Sequence, residues 1–220
     1  MDNKYIKALL WILLICFYIS INMLFGSLIN SMHIKNNLLL NILYIVSELI
    51  ITASLIFLYR NDFKNKLKEL KGNEGNKKII TSIKAWLLGV AVMISLNIIL
   101  GLIVGSISDN ELTNRSVISS YSYFAVITMI ILTPICEEII FRLSLSKIFD
   151  NNQLFIIFSG LIFGYAHVFD TTGLQLLYAF PYAALGTAFA YIFSKNKNIL
   201  CSILMHSIHN LVCILIIFFL

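Results

Sequence analysis

The sequence predicts an all-α fold, a polytopic bundle of about seven membrane-spanning helices with the N-terminus in the cytoplasm. Three observations carry this. Of the 220 residues 59% are hydrophobic, with a mean hydropathy of +0.89. Only 12% are charged, about half the roughly 25% of soluble domains. The apolar residues also fall in runs near the length of about 20 that a bilayer requires. Two prolines and ten glycines exclude fibrous and low-complexity chains.

The runs, in order, are Ala8–Ile29, Leu38–Tyr59, Ala85–Ile107, Tyr121–Ile148, Leu154–Val168, Leu174–Ser194 and Ile199–Leu220. The first follows Lys4 and Lys7 as a signal peptide would. It is too long for an h-region and lacks a small-residue cleavage site, which predicts a retained anchor. The fourth is long, polar at its centre and carries Pro134. The fifth is short. With the N-terminus inside, 14 of the 16 basic residues fall on the cytoplasmic side, and only Lys35 and Arg115 lie outside. Eight of the 14 occupy residues 60–84, expected to form a cytoplasmic loop against anionic headgroups. A net charge of +5 distributed in this way predicts topology and no nucleic-acid partner. Cys16, Cys136, Cys201 and Cys213 lie in apolar stretches without CxxC spacing, which predicts small buried residues. Residues 1–220 read as a single membrane domain, with accessory spans over 1–107 and a core over 118–220.

Ionisable residues inside a span are costly and mark function. Here they are Glu48, Glu137, Glu138, Arg142, His167, His206 and His209, with Asn210 beside the last. Glu138 and Arg142 are four residues apart and can pair on one face. Glu137, rotated by about 100°, has no such partner within its helix. Measured from the Asn151-Asn152 turn, Glu137 and His167 both lie about 21–23 Å deep. Measured from Lys197, His206 lies about 14 Å and Asn210 about 20 Å deep, on one shared face. A carboxylate, two imidazoles and an amide thus reach a similar level from three helices. The competing reading is that these groups only join helices. His209 lies off the shared face and reads as a neighbour. Glu48 reads equally as a structural group or as a wall of the same cavity.

Glu137 to Arg142 (E-E-I-I-F-R), Phe163 to His167 (F-G-Y-A-H) and His206 to Asn210 (H-S-I-H-N) resemble the EExxxR, FxxxH and HxxxN motifs. These belong to the CPBP family, the CAAX-protease and bacteriocin-processing intramembrane proteases also called Abi. The resemblance covers roughly Tyr121–Asn210. Leu143 stands where relatives often have Gly. The resemblance implies peptide-bond hydrolysis in the membrane by glutamate-activated water. Glu137 would be the catalytic glutamate, with His167 and His206 completing the site. Asn210 would hold the oxyanion or the water. Glu138 and Arg142 would support the site as an ion pair, and Phe163 would pack one turn below His167. The reading carries no firm cofactor. If Zn2+ takes part, Glu137, His167 and His206 are its ligands, although Glu137 can hardly serve as both ligand and base.

The expected substrate is a membrane-anchored protein or peptide, entering from the cytoplasmic side of a bacterial cytoplasmic membrane, in peptide maturation or in bacteriocin processing or immunity. Two other readings compete: a non-catalytic membrane immunity or scaffolding protein, and a proton-coupled carrier. The carrier ranks last, because paired repeats are absent from the sequence.

Overall fold

The computed structural model describes residues 3–34, 36–120 and 126–219. The expectations for Lys35 and for the start of the fourth run (121–125) lie outside them. Among the described residues the chain is all-α. Helix α1 (Lys4–Ser31) is followed by α2 (Asn37–Leu58), where the Asn36 side chain caps the first turn by accepting from the Leu39 amide. A short turn of helix, α3 (Arg60–Phe63), leads to α4 (Gly72–Val104). This helix stops at Gly105, whose φ of +77° suits glycine. Helix α5 (Asp109–Ser120) follows. The fourth run contains α6 (Thr133–Glu138) between two π-turns, Thr128–Leu132 and Ile139–Ser144. Then come α7 (Asn152–Ala166), α8 (Ala179–Asn196) and α9 (Ile199–Phe219).

Five helices are long and apolar enough to cross a membrane: Lys4–Ile29, Leu38–Leu58, Gly72–Val104, Gly173–Asn196 and Ile199–Phe219. The chain is an integral membrane protein by this measure. The other two expected spans differ in kind. The fourth is interrupted by π-turns, and α7, with 15 residues, is about 22 Å long. The basic segment 60–84 is only partly a loop. From Gly72 onward it is the first turns of α4, supported by a Lys77–Glu74 ion pair at 2.7 Å. Helix α5 was hidden by its polarity, which leaves no apolar run to read.

Pro134 explains the irregularity of the fourth segment. It lacks an N–H, and its ring crowds the preceding turn. The chain widens there, and the Thr133 amide donates five residues back to the Thr128 carbonyl. The second π-turn leaves carbonyls that side chains of other elements satisfy. Trp11 of α1 donates to Ile140 O at 3.0 Å, and Ser159 of α7 donates to Phe141 O at 2.7 Å. Around this segment Leu14, Ile51, Leu55, Phe155 and Phe193 close a buried apolar core.

Small residues bring the remaining helices close, as in other membrane bundles. A Cβ on Gly160 would meet Thr187, one on Gly164 would meet Ala179 O and Ala183, and one on Gly89 would meet Ala188. Helices α4 and α7 therefore pack directly against α8. At the lysine-rich end, Lys147 pairs with Asp62 at 2.9 Å, and Lys66 and Lys78 pair with Glu69 at 2.8 and 3.0 Å. Cys136 and Cys201 are buried as expected; Cys16 lies on an exposed, apolar face of α1.

Candidate active site

The π-turn after α6 sets the first carboxylates. Glu138 and Arg142 are both fully buried, with Oε2 and Nε 3.3 Å apart. This is ion-pair contact without hydrogen-bond alignment, since the three guanidinium nitrogens find no hydrogen-bond partner among the described residues. The guanidinium instead faces aromatic rings, 4.6 Å from the Phe163 centroid and 5.8 Å from that of Phe189. Cation–π attraction is strongest where water is excluded.

Glu138 turns its other oxygen to α9. His206 Nδ1–H donates to Glu138 Oε1 at 3.0 Å, because a carboxylate only accepts. That bond fixes the ring, and its Nε2 points toward Glu137 Oε2 at 3.6 Å. Phe189 stacks on the His206 ring at 4.6 Å and 21°. Glu137 retains 18% side-chain exposure, against none for Glu138. The consecutive acids thus divide as their helical rotation predicts, one sealed in the bundle and one at a cavity.

His167 caps the C-terminus of α7. Its Nδ1–H donates to Phe163 O at 2.8 Å, which leaves Nε2 free. The ring packs on Phe163 at 4.4 Å and stacks on Tyr182 at 4.7 Å and 21°. Phe163 packs against both histidines, its centroid 5.7 Å from that of His206, and is fully buried. Asn210 Nδ2 donates to Met129 O at 2.8 Å and so ties α9 to the first π-turn. His209 turns to Cys213, with Nε2 and Sγ 3.5 Å apart.

Glu137, His167, His206, His209 and Asn210 all line one cavity of about 760 Å³. Glu48 does not line it. Its Oε2 is buried without a hydrogen-bond partner, and one turn along α2 the Thr52 hydroxyl touches Cys136 Sγ at 3.2 Å. The expected opening toward the lysine-rich end is not found. The cavity runs from Glu137 to Gly105, Ser108 and Asn114, at the α4–α5 end. Toward the lysines, Leu143, Leu145, Phe155, Phe193 and Ile199 fill the space.

The zinc reading does not fit this geometry. Among the described residues no three acidic, histidine or cysteine side chains converge on one point. His206 Nδ1 is held by Glu138 and His167 Nδ1 by a carbonyl, an arrangement that leaves each Nε2 available, so the misfit lies in the missing third ligand.

Two participants escape the sequence motifs, Tyr182 and Phe189. They stand seven residues apart on α8, two turns along one face, a spacing shared by any apolar helix face. Tyr182 also receives a hydrogen bond from Asn110 Nδ2 at 3.0 Å, and its hydroxyl lies 3.0 Å from that of Ser108.

Residues 119–212 match the family described as type II CAAX prenyl endopeptidase Rce1-like. Similar proteins include the UPF0177 protein YajF of Lactococcus lactis subsp. lactis (strain IL1403). It is 31% identical over 93 residues, 42% of this chain and 44% of the relative. An uncharacterized protein of Mycoplasma capricolum subsp. capricolum (strain California kid) is 30% identical over 171 residues, 71% of this chain and 49% of its own. The UPF0177 protein YbdI of the same Lactococcus strain is 28% identical over 146 residues, 59% and 74% respectively. The match thus spans less than half the length of the first two relatives. No solved structure matches. The matched segment holds all three motifs, with Glu137, His167, His206, His209 and Asn210 of the cavity wall, and over that segment the chain is similar to the Rce1-like CAAX endopeptidases.

Proposed function

We propose that the protein is an intramembrane endopeptidase that hydrolyses a peptide bond in a membrane-associated protein or peptide, with Glu137 as the base. The observation that carries this reading is the division of labour between two consecutive acids. Glu138 is sealed against Arg142 and orients His206, while Glu137 faces the cavity 3.6 Å from His206 Nε2. A water held between Glu137 Oε2 and His206 Nε2 gives a proton to Glu137 as its oxygen attacks the carbonyl carbon. The carbonyl oxygen takes the negative charge. Donors in a site of low dielectric stabilise that charge strongly. The amide hydrogen of Asn210 not used on Met129 supplies one such donor. When the tetrahedral carbon collapses, the C–N bond breaks and the proton on Glu137 passes to the leaving amine.

The substrate setting is peptide maturation or bacteriocin-related processing or immunity. The membrane is a bacterial cytoplasmic membrane, crossed seven times with the lysine-rich end inside, and residues 118–220 form the catalytic core. Abundant Ile, Asn and Lys and the bacterial relatives support this setting. Purified protein in proteoliposomes, offered a membrane-tethered peptide library, tests the reaction. Loss of a general base costs at least about 10² in rate. Glu137→Gln is expected to lose at least that much, and cleavage at the wild-type rate by this variant overturns the assignment. Binding of a peptide without cleavage by the wild type, unchanged in Glu137→Gln, establishes the scaffolding reading instead.

A further inference from the structure

The direction in which the cavity opens carries an inference that rests on the peptidase reading and deepens it. We infer that substrate reaches Glu137 from the lysine-poor end of the bundle, beneath α5, so that the protein acts on peptide displayed on the extracytoplasmic face.

The path is continuous on one side. On α9 the cavity wall runs from His206 past Asn210 and Cys213 to Ile217, and on α4 from Met93 to Gly105. From His206 to Ile217 is about 16 Å along the helix, which is the length of roughly five residues of extended chain. The other side is closed. No residue of the lysine-rich segment lines the cavity among the described residues. The buried Arg142–Glu138 pair, the aromatic rings around it and the Phe155–Phe193–Ile199 packing lie across that route. Bundles orient with their basic segments in the cytoplasm, so a path leading away from the lysines leads outward.

The lining describes what enters. Deep in the cavity the wall includes Met93, Ile94 and Leu185, which suit apolar side chains next to the scissile bond. At the mouth it carries Ser106, Ser108, Asn110 and Asn114. The charges there, Glu111 and Arg115, satisfy each other at 2.9 Å. A mouth of neutral donors and acceptors fits the peptide groups of an extended, uncharged segment. The substrate class is therefore an extended stretch of about five residues, apolar toward the cleavage point and polar but uncharged toward its free side.

Accessibility reads the route independently of catalysis. In intact cells making the full chain with Cys16→Ser and Cys213→Ser, Asn114→Cys is expected to react with a membrane-impermeant thiosulfonate. Lys71→Cys, on the lysine-rich segment, is expected to react only after permeabilisation. Native Cys213, in the cavity wall, gives the same readout in a separate chain carrying Cys16→Ser alone and covers the case in which Asn114→Cys fails to fold. Two reporters, each with the peptide segment tethered by one transmembrane helix, then display it outside or inside. Cleavage of the outside reporter, lost on modification of Asn114→Cys, is the expected result. Labelling of Asn114→Cys and Cys213 only after permeabilisation, or cleavage of the inside reporter alone, overturns the inference. Labelling from outside with neither reporter cut leaves the route standing and removes the peptidase reading.

Discussion

The ring of Tyr182 lies stacked on that of His167 at 4.7 Å, while its hydroxyl holds Ser108 and Asn110 at the start of α5. One side chain therefore couples a residue of the cavity floor to the helix over the cavity mouth. Tyr182→Phe keeps the stack and releases α5, whereas Tyr182→Ala loses both. Steady-state kinetics on a cleaved peptide are expected to show a changed KM with kcat nearly kept for the first. The second is expected to lose about tenfold or more in kcat, since a small misplacement of a reacting group costs up to about 10².

The buried Glu138–Arg142 pair predicts asymmetric damage. Removing one partner leaves the other charged in an apolar interior, a loss of about 3–5 kcal/mol. Arg142→Met is expected to lower the thermal midpoint in detergent sharply. Glu138→Gln with Arg142→Met is expected to regain much of that stability. It should not regain activity, because His206 loses the carboxylate that orients it. A double variant no more stable than Arg142→Met contradicts the pairing.

Gly164 tests the contact between α7 and α8. A Cβ there would lie 2.7 Å from the Ala183 methyl and closer still to the Ala179 carbonyl. Overpacking of this kind costs about 1–3 kcal/mol. Gly164→Ala is expected to lower the melting midpoint and, by tilting the end of α7, to slow cleavage through His167. Gly101→Ala, on α4 with open space around it, serves as the control and should leave the midpoint nearly unchanged.

At the lysine-rich end, hydrogen bonds from Lys66 and Lys78 hold the Glu69 carboxyl below its ordinary range. A lowered folded value contributes stability above the unfolded pKa of about 4.3, and that contribution disappears as the pH falls through the folded value. Glu69→Gln is therefore expected to flatten the fall in melting temperature on the acid side of pH 4.3 and to leave its shape near pH 7 unchanged. An identical acid limb in the two proteins refutes the link.

The scattered donors give a further expectation. Because Glu137, His167 and His206 do not converge, zinc chelators at concentrations that strip zinc proteases should leave peptide cleavage intact. Loss of activity restored by added zinc refutes the geometry.

The sequence is most informative where physics forces a signal into it. Charges inside apolar runs are rare and costly, so Glu137, Glu138, Arg142, His167 and His206 stand out, and their helical spacing already separates the two acids. The all-α bundle follows from run length in the same way. Tyr182 and Phe189 resemble ordinary apolar-face residues and declare themselves only through the rings they stack on. The π-turns depend on where a proline's missing hydrogen bond is replaced, which involves Trp11 and Ser159 at long range. The direction of the cavity depends on which end of the bundle fills with side chains, and no local pattern encodes that.

The Glu138–Arg142 contact also bears on how the protein is made. Both charges belong to one helical segment, one turn apart, so the segment can enter the bilayer with its charge already compensated. It need not wait for His206, which is synthesised later. The pair thus lets the ribosome deliver the costliest part of the site early and neutral, and the arrival of the last helix then converts a compensated charge into a working one.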